Sequence, residues 1–235
     1  MQEPQMRDYT QVGGQSQKSA SQVLLSKTYA LLAVAFVPCL LGAYLSASTG
    51  FLYSLLNVFN SRWVFIIAFF AFFYGMVFMI EKNRYSNVGI ALFFVLTFGM
   101  GALLAPTLQV TLGMSNGSEI IMLAAGLTAV TFFAMTFLAR SSKINMSAVG
   151  NFMTVGIIVV MVGVVANLFL QLPALSLTLS VGFVIISSLL IMWQTRAIID
   201  GGEDSYISAA LTLFISLYNL FANLIHILTA LMGND

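Results

Sequence analysis

Residues 206–232 read YISAALTLFISLYNLFANLIHILTALM. The run contains no Asp, Glu, Lys or Arg. It exceeds the ~20 apolar residues that a helix needs to cross a hydrocarbon core. Its polar residues are ordered. Thr212, Ser216, Asn219, Asn223 and His226 follow one another at spacings of 4, 3, 4 and 3. That 3.5-residue period sets all five on one helical stripe. A helix surrounded by lipid does not carry two Asn and a His along one line, so the stripe must face protein or water. The pattern predicts a helix central to its neighbours. Two readings of the stripe follow: interhelical hydrogen bonds worth ~0.6 kcal/mol each, or a polar cavity or pathway.

Six comparable apolar runs precede it, at 28–48, 63–80, 88–112, 120–139, 148–170 and 172–193. None contains a charged residue. Of the 235 residues 60% are hydrophobic and 7% charged, against roughly 25% charged in soluble domains. The mean hydropathy is +0.97. These values exclude a soluble enzyme, a secreted disulfide scaffold and a disordered chain. Membrane barrels are built from short alternating strands, which this sequence lacks. The expected fold is therefore all-α: a polytopic integral membrane protein of seven helices with the seventh central. A net charge of +1 speaks against a generally basic, nucleic-acid-binding chain. The single cysteine, Cys39, and single histidine, His226, give no basis for an internal disulfide or a Cys/His metal centre. No metal or cofactor is expected.

Seven spans with a cytoplasmic N-terminus put Arg7, Lys18, Lys27, Lys82, Arg84, Arg140, Lys143 and Arg196 inside and only Arg62 outside. This is a strong positive-inside bias, and it sets the C-terminus outside. Residues 1–27 are polar, rich in Gln and Ser, with Pro4 and the pair Gly13-Gly14. They read as a flexible cytosolic tail, ahead of a transmembrane domain at 28–232. A signal peptide would place a short apolar run soon after a basic start, whereas here the polar stretch comes first. The outer connection 49–62 is apolar enough to lie in the membrane interface. The inner connection 194–205 holds Gly201-Gly202 before Glu203 and Asp204. No convincing internal repeat is present, which argues against an inverted-repeat transporter.

Other features read as structural. Asn167 and Gln171 stand before Pro173, where amides can satisfy backbone carbonyls freed by the proline. Pro106 reads as a kink, and Glu119 as a carboxylate favoured by a helix N-terminus. Residues 113–117 match the serine-hydrolase pattern G-x-S-x-G, with Ser115 on the same side as His226. The pattern needs a preceding strand and an orienting acid, and neither is evident. Asn116-Gly-Ser118 and Asn145-Met-Ser147 match the short glycosylation pattern. No phosphate-binding loop, HExxH, CxxC or intramembrane carboxylate pair occurs. The sequence supplies no enzyme chemistry.

Residues 164–175 read VVANLFLQLPAL, 198–203 read IIDGGE, Tyr206-Ile207 follow, and 217–221 read LYNLF. These segments resemble the Bax inhibitor-1 (TMBIM) family, in its bacterial YccA-like branch. The resemblance covers most of the chain after residue 28. It implies a seven-helix fold with the last helix in the centre, in a bacterial inner membrane, with the N-terminus cytoplasmic and the C-terminus periplasmic. In leak-competent members it implies a pH-sensitive calcium gate, made by paired acids on the sixth and seventh helices. Here the matching runs are Gln194-Thr-Arg-Ala-Ile-Ile199 and Ser216 ahead of Leu-Tyr-Asn-Leu-Phe221, so Gln194 and Ser216 stand where the acids would. Ca²⁺ prefers several oxygen ligands including carboxylates. Two neutral side chains do not supply them, although they could hydrogen-bond to each other. A pH-gated Ca²⁺ leak is expected to be weak or absent. The YccA-like branch implies a different role, a non-enzymatic modulator and slow substrate of the membrane-anchored AAA protease FtsH, gripped by its tail. An ion-leak channel along the stripe is the alternative.

Overall fold

The computed structural model describes the backbone of residues 5–50, 52, 54, 62–141 and 144–233, with side chains described from residue 20 onward except at 62, 63 and 65. Seven helices follow in order: α1 Gln5–Thr49, α2 Arg62–Lys82, α3 Asn87–Leu112, α4 Gly117–Leu138, α5 Met146–Leu170, α6 Pro173–Ile199 and α7 Tyr206–Met232. No strand occurs among the described residues. Six helices are long and apolar enough to cross a membrane: α1 through Ala20–Thr49, and α3 to α7 over their full lengths. The remaining helix, α2, matches the expected run at 63–80.

Most helix ends fall within a few residues of the apolar runs. Two do not. The helix α1 starts at Gln5, so the backbone of 5–27 is helical where a flexible tail was expected. Residues 1–4 lie outside the described residues, as do most of the apolar connection 49–62 and the C-terminal Asn234-Asp235. The helix α6 continues past Trp193 through Gln194, Thr195 and Arg196 to Ile199.

The turn between α5 and α6 shows how local chemistry sets these ends. Gln171 caps α5 in the left-handed conformation, with φ of 50°. Asn167 Oδ1 accepts the Leu172 N–H at 3.0 Å, and Pro173 opens α6 at a position that needs no N–H. The Asn167 amide thus serves an orphan donor, where an orphan carbonyl was expected. At the other end of α6, Gly201 takes φ of 78°. This lets the Gly201 and Gly202 N–H groups close on Ile198 O and Ala197 O at 3.2 and 2.8 Å.

The core gathers on α7. Ile207, Ala210, Leu213, Phe214, Leu217 and Leu220 pack with Leu32, Ala35 and Cys39 of α1, Ile80 of α2, Phe93 and Leu96 of α3 and Ile191 of α6. Phe214 and Phe93, both fully buried, meet edge to face with ring centroids 5.8 Å apart. The helix α7 touches α1, α2, α3, α4 and α6. By contrast, α5 buries only Met153 and Val160 and packs chiefly on α6.

The most extensively packed helix pair is α1 and α3. A Cβ on Gly42 would overlap the Phe98 carbonyl, and one on Gly101 would overlap the Cys39 carbonyl. The two backbones therefore touch at two reciprocal points, which only glycine allows. Gly101→Ala and Gly42→Ala are each expected to force the helices apart at a cost of ~1–3 kcal/mol. Thermal unfolding in detergent should show a midpoint lowered by several degrees. Gly126, on α4, has open space around it. Gly126→Ala should melt like the parent or slightly higher, because Ala is the better helix former by ~1 kcal/mol.

Candidate functional site

Among the described residues most charges collect at one end of the bundle, and hydrogen bonds join Glu81, Arg84, Arg196, Asp200, Glu203 and Asp204 to their surroundings. Arg84, in the α2–α3 turn, faces Asp204 at 3.2 Å, and the Tyr85 hydroxyl donates to Asp204 Oδ1 at 2.8 Å. The bond to the Tyr85 hydroxyl is the main reason the Arg84 guanidinium is held above its ordinary value. The bond to the Asp204 carboxylate likewise raises the Tyr85 phenol. Tyr85 and Asp204 are exposed and Arg84 only partly covered, so solvent screens the pair and it adds little to stability. Glu203 does more. Its Oε1 accepts the N–H groups of Asp204 and Ser205 at 3.0 and 2.9 Å. Its Oε2 accepts from Gln194 Nε2 at 3.2 Å. Ser205 caps α7 by accepting the Ser208 N–H, and its hydroxyl donates to Arg84 O at 2.7 Å. Ser208 donates to Glu81 Oε1 at 2.7 Å. Arg196 pairs with Asp200 at 2.6 Å and donates to Ala139 O and Ser141 O.

Gln194 is therefore bound to Glu203, and Ser216 donates to Thr212 O of its own helix at 2.8 Å. Both side chains are buried, but the hydrogen bond that could have joined them to each other is not made. Along α7 the stripe is satisfied mainly by the helix itself. Asn219 donates to Ile215 O at 3.0 Å and Asn223 to Asn219 O at 2.7 Å. Only at its end does the stripe bond to a neighbour: His226 Nδ1 lies 2.9 Å from Ser180 Oγ on α6. That contact fixes the antiparallel register of α6 on α7. With equal rise, Ser187 stands level with Asn219 and Gln194 with Thr212. Ser180, Ser187 and Gln194 are all buried, so a seam of small neutral polar groups runs between the two helices.

The seam opens at the His226 end into a cavity of about 470 Å³ lined by Asn167, Gln171, Ser176, Ser180 and Asn223 together with apolar residues of α5 and α6. Its polar lining is amide and hydroxyl, suited to hydrogen bonding without charge. At the opposite end Glu203 and Gln194 close the seam. Among the described residues no cluster of three or more His, Cys, Asp or Glu side chains could hold a metal ion.

The other sequence candidates have plain structural places. Ser115 is exposed in the α3–α4 turn, and the partner of His226 is Ser180. Asn116 donates to Met232 O at 2.9 Å, and Asn145 caps α5 through the Ala148 N–H. Glu119 sits in the first turn of α4, Pro106 lies within α3, and Cys39 is buried. Sequence reasoning missed Ser180 as the partner of His226 and Ser208 as the partner of Glu81. The one signal for Ser180 was the spacing of seven that links it to Ser187 and Gln194.

Residues 21–234 match the family described as "Inhibitor of apoptosis-promoting Bax1". An uncharacterized protein of Neisseria meningitidis is 54% identical over 216 residues, covering 92% of this chain and 94% of that protein. An uncharacterized protein of Pseudomonas aeruginosa is 38% identical over the full length of both. The Escherichia coli protein named "Modulator of FtsH protease YccA" is 41% identical over 155 residues, 66% of this chain and 70% of that protein. A further E. coli sequence of the same similarity carries the name "Inner membrane protein YccA". With six long apolar helices and a family match over nearly its whole length, this multi-pass membrane protein belongs to the Bax inhibitor-1 family.

Proposed function

We propose that this chain is a non-enzymatic inner-membrane modulator of a membrane-anchored AAA protease of the FtsH type. In this reading it crosses the bilayer seven times, with α7 central, the N-terminus cytoplasmic and the C-terminus periplasmic. The observation that carries the proposal is the 41% identity to the E. coli protein named as a modulator of FtsH. The position of α7, in contact with α1, α2, α3, α4 and α6, supports a central seventh span. The positive-inside bias supports the orientation.

Physical chemistry gives the proposal a mechanism. The N-terminal part of α1 is polar and contains Gly13-Gly14. A polar helical stretch with two glycines has little intrinsic stability in water and is readily unwound by a pulling enzyme. From Thr28 onward α1 is locked into the bundle: Thr28 is fully buried, and Gly42 lies against the α3 backbone. A protease that engages this polar stretch meets a sharp rise in resistance. A chain that is gripped but not extracted occupies the enzyme.

A second reading, an ion-leak route, would run along the polar seam between α6 and α7 to the cavity at its His226 end. The seam holds no carboxylate, so Ca²⁺ is a poor fit.

Two experiments separate these readings. Affinity purification from native membranes should recover the protease with the full-length chain. It should fail once residues 1–19 are deleted, a cut that spares the Ser21 bond to Ile199 O and the Lys27 contact with Tyr206. Equal recovery from both forms, or recovery from neither, refutes the tail-dependent mechanism. In liposomes the chain is expected to give no acid-stimulated Ca²⁺ flux above empty vesicles. A robust flux that Asn219→Leu abolishes would establish the leak route instead.

A further inference from the structure

A second cavity, of about 640 Å³, lies between α1 and α4 over a floor of α3 and α7. Its volume falls in the roughly 300–1,000 Å³ range of small-molecule sites. The cavity is a slot that follows the helices: from Tyr29 to Ala43, both in its wall, α1 rises about 20 Å. Because α1 and α4 both qualify as membrane spans, an occupant enters from hydrocarbon. No charged side chain lines the slot, so a charged headgroup would have nothing to pair with inside it.

The two ends of the slot differ in chemistry. Lys27 lies over the Tyr206 ring, and Arg196 donates to Ala139 O, so Tyr29 of α1 and Phe132 of α4 stand toward the charged end of the bundle. There the walls are aromatic: Tyr29 and Phe36 on α1, Phe132 and Phe133 on α4, and Phe214 on α7. Tyr29 and Phe132 meet edge to face with ring centroids 5.8 Å apart, and Phe36 and Phe214 meet at 5.5 Å. Toward the other end the walls are aliphatic, with Leu40 and Ala43 on α1, Leu104 and Leu108 on α3, and Ile121 and Ala125 on α4. The slot's hydroxyls differ as well. Thr128 donates to Ala124 O of its own helix. Tyr29 Oη is buried and has no hydrogen-bond partner among the described residues, a state that is unfavourable until an acceptor reaches it.

We propose that this slot binds one prenylated quinone, with its ring between the aromatic walls, a ring carbonyl accepting from the Tyr29 hydroxyl, and its tail running toward Ala43. The class of occupant follows from the walls. Facing aromatic side chains suit a planar ring in offset or edge-on contact. A lone donor in uncharged surroundings calls for a neutral acceptor, which a carbonyl supplies. The aliphatic end takes a hydrocarbon tail. The slot is separate from the α6–α7 seam and from the segment before Ala20, so the proposal does not depend on the chain's relation to a protease.

Native mass spectrometry and thermal unfolding of the full-length protein in detergent test the proposal. The probes are decylubiquinone, the same benzoquinone ring without its tail, decylbenzene, which keeps a ring and the tail without a carbonyl, and phosphatidylcholine. Decylubiquinone is expected to give a one-to-one adduct and raise the unfolding midpoint. The other three should each bind several-fold more weakly. Tyr29→Phe should weaken the decylubiquinone adduct about fivefold, as the loss of one hydrogen bond does. It should leave decylbenzene binding unchanged and lower no midpoint measured without ligand, because the hydroxyl it removes has no partner. Ala129→Phe fills the slot from an exposed position and should abolish the adduct. Ala125→Phe does the same should the first variant fail to fold. Decylbenzene binding as tightly as decylubiquinone, an adduct indifferent to Tyr29→Phe, or one that survives the folded variant at Ala129 or Ala125 would each overturn the proposal. So would a protein dimer that this variant dissolves, because the occupant would then be a second copy.

Discussion

Hydrocarbon offers no partner for a hydrogen-bonding group, so a chain that crosses it must satisfy its polar atoms from its own substance. That constraint explains the helices, and it also explains what happens to the polar side chains on them. Ser216, Asn219 and Asn223 donate to carbonyls of their own helix. Thr128, Ser180 and Ser188 do the same on α4 and α6, each toward the residue four earlier. A stripe satisfied in this way can be neutral in energy whether or not a neighbouring helix answers it. It leaves the oxygen of each amide free to face the seam, which is the chemistry a polar route needs without the cost of a buried charge.

The same medium removes the hydrophobic drive between helices, so packing has to come from close approach. The α1–α3 contact meets this need at Gly42 and Gly101, each against a carbonyl of the other helix. Because the contact is backbone to backbone, it is rigid in a way that side-chain packing is not. It gives α1 two regimes on one continuous helix: a polar stretch before Ala20, and a length clamped to α3 and α7 from Thr28 onward. A force applied to the polar stretch meets first the buried Thr28, Leu32 and Ala35 and then the glycine contacts behind them.

Much of this was legible in the sequence. The ends of α7 and the C-terminal ends of α3 and α5 coincide with the apolar runs, since Gly113, Pro173 and Gly233 punctuate them. The extra length of α6 was hidden because Gln194, Thr195 and Arg196 read as a polar loop. In the bundle the first two are buried, with Gln194 answered by Glu203 and Arg196 by Asp200 and the end of α4. The start of α1 was hidden for a related reason: Gln, Ser and Lys carry no membrane signal yet are compatible with a helix. The stripe on α7 was visible by its period, whereas its bonded partner on α6, Ser180, is a serine, which any helix can carry. The glycine contacts were invisible, because a glycine's neighbour across space leaves no trace along the chain.

The placement of charge follows one logic. A carboxylate at mid-membrane depth is costly, and α6 and α7 carry none between Pro173 and Ile199 or between Tyr206 and Met232. The acids that remain near the seam, Glu81 and Glu203, stand at its charged end, where Ser208, Gln194 and backbone N–H groups of the α6–α7 turn surround them. Glu203 there acts on conformation. By holding the turn and the buried amide of Gln194 together, it fixes the angle at which α7 enters the bundle. Much of the core packs around α7, so a carboxylate held in the turn, outside the seam, fastens the entry of the helix that the others share.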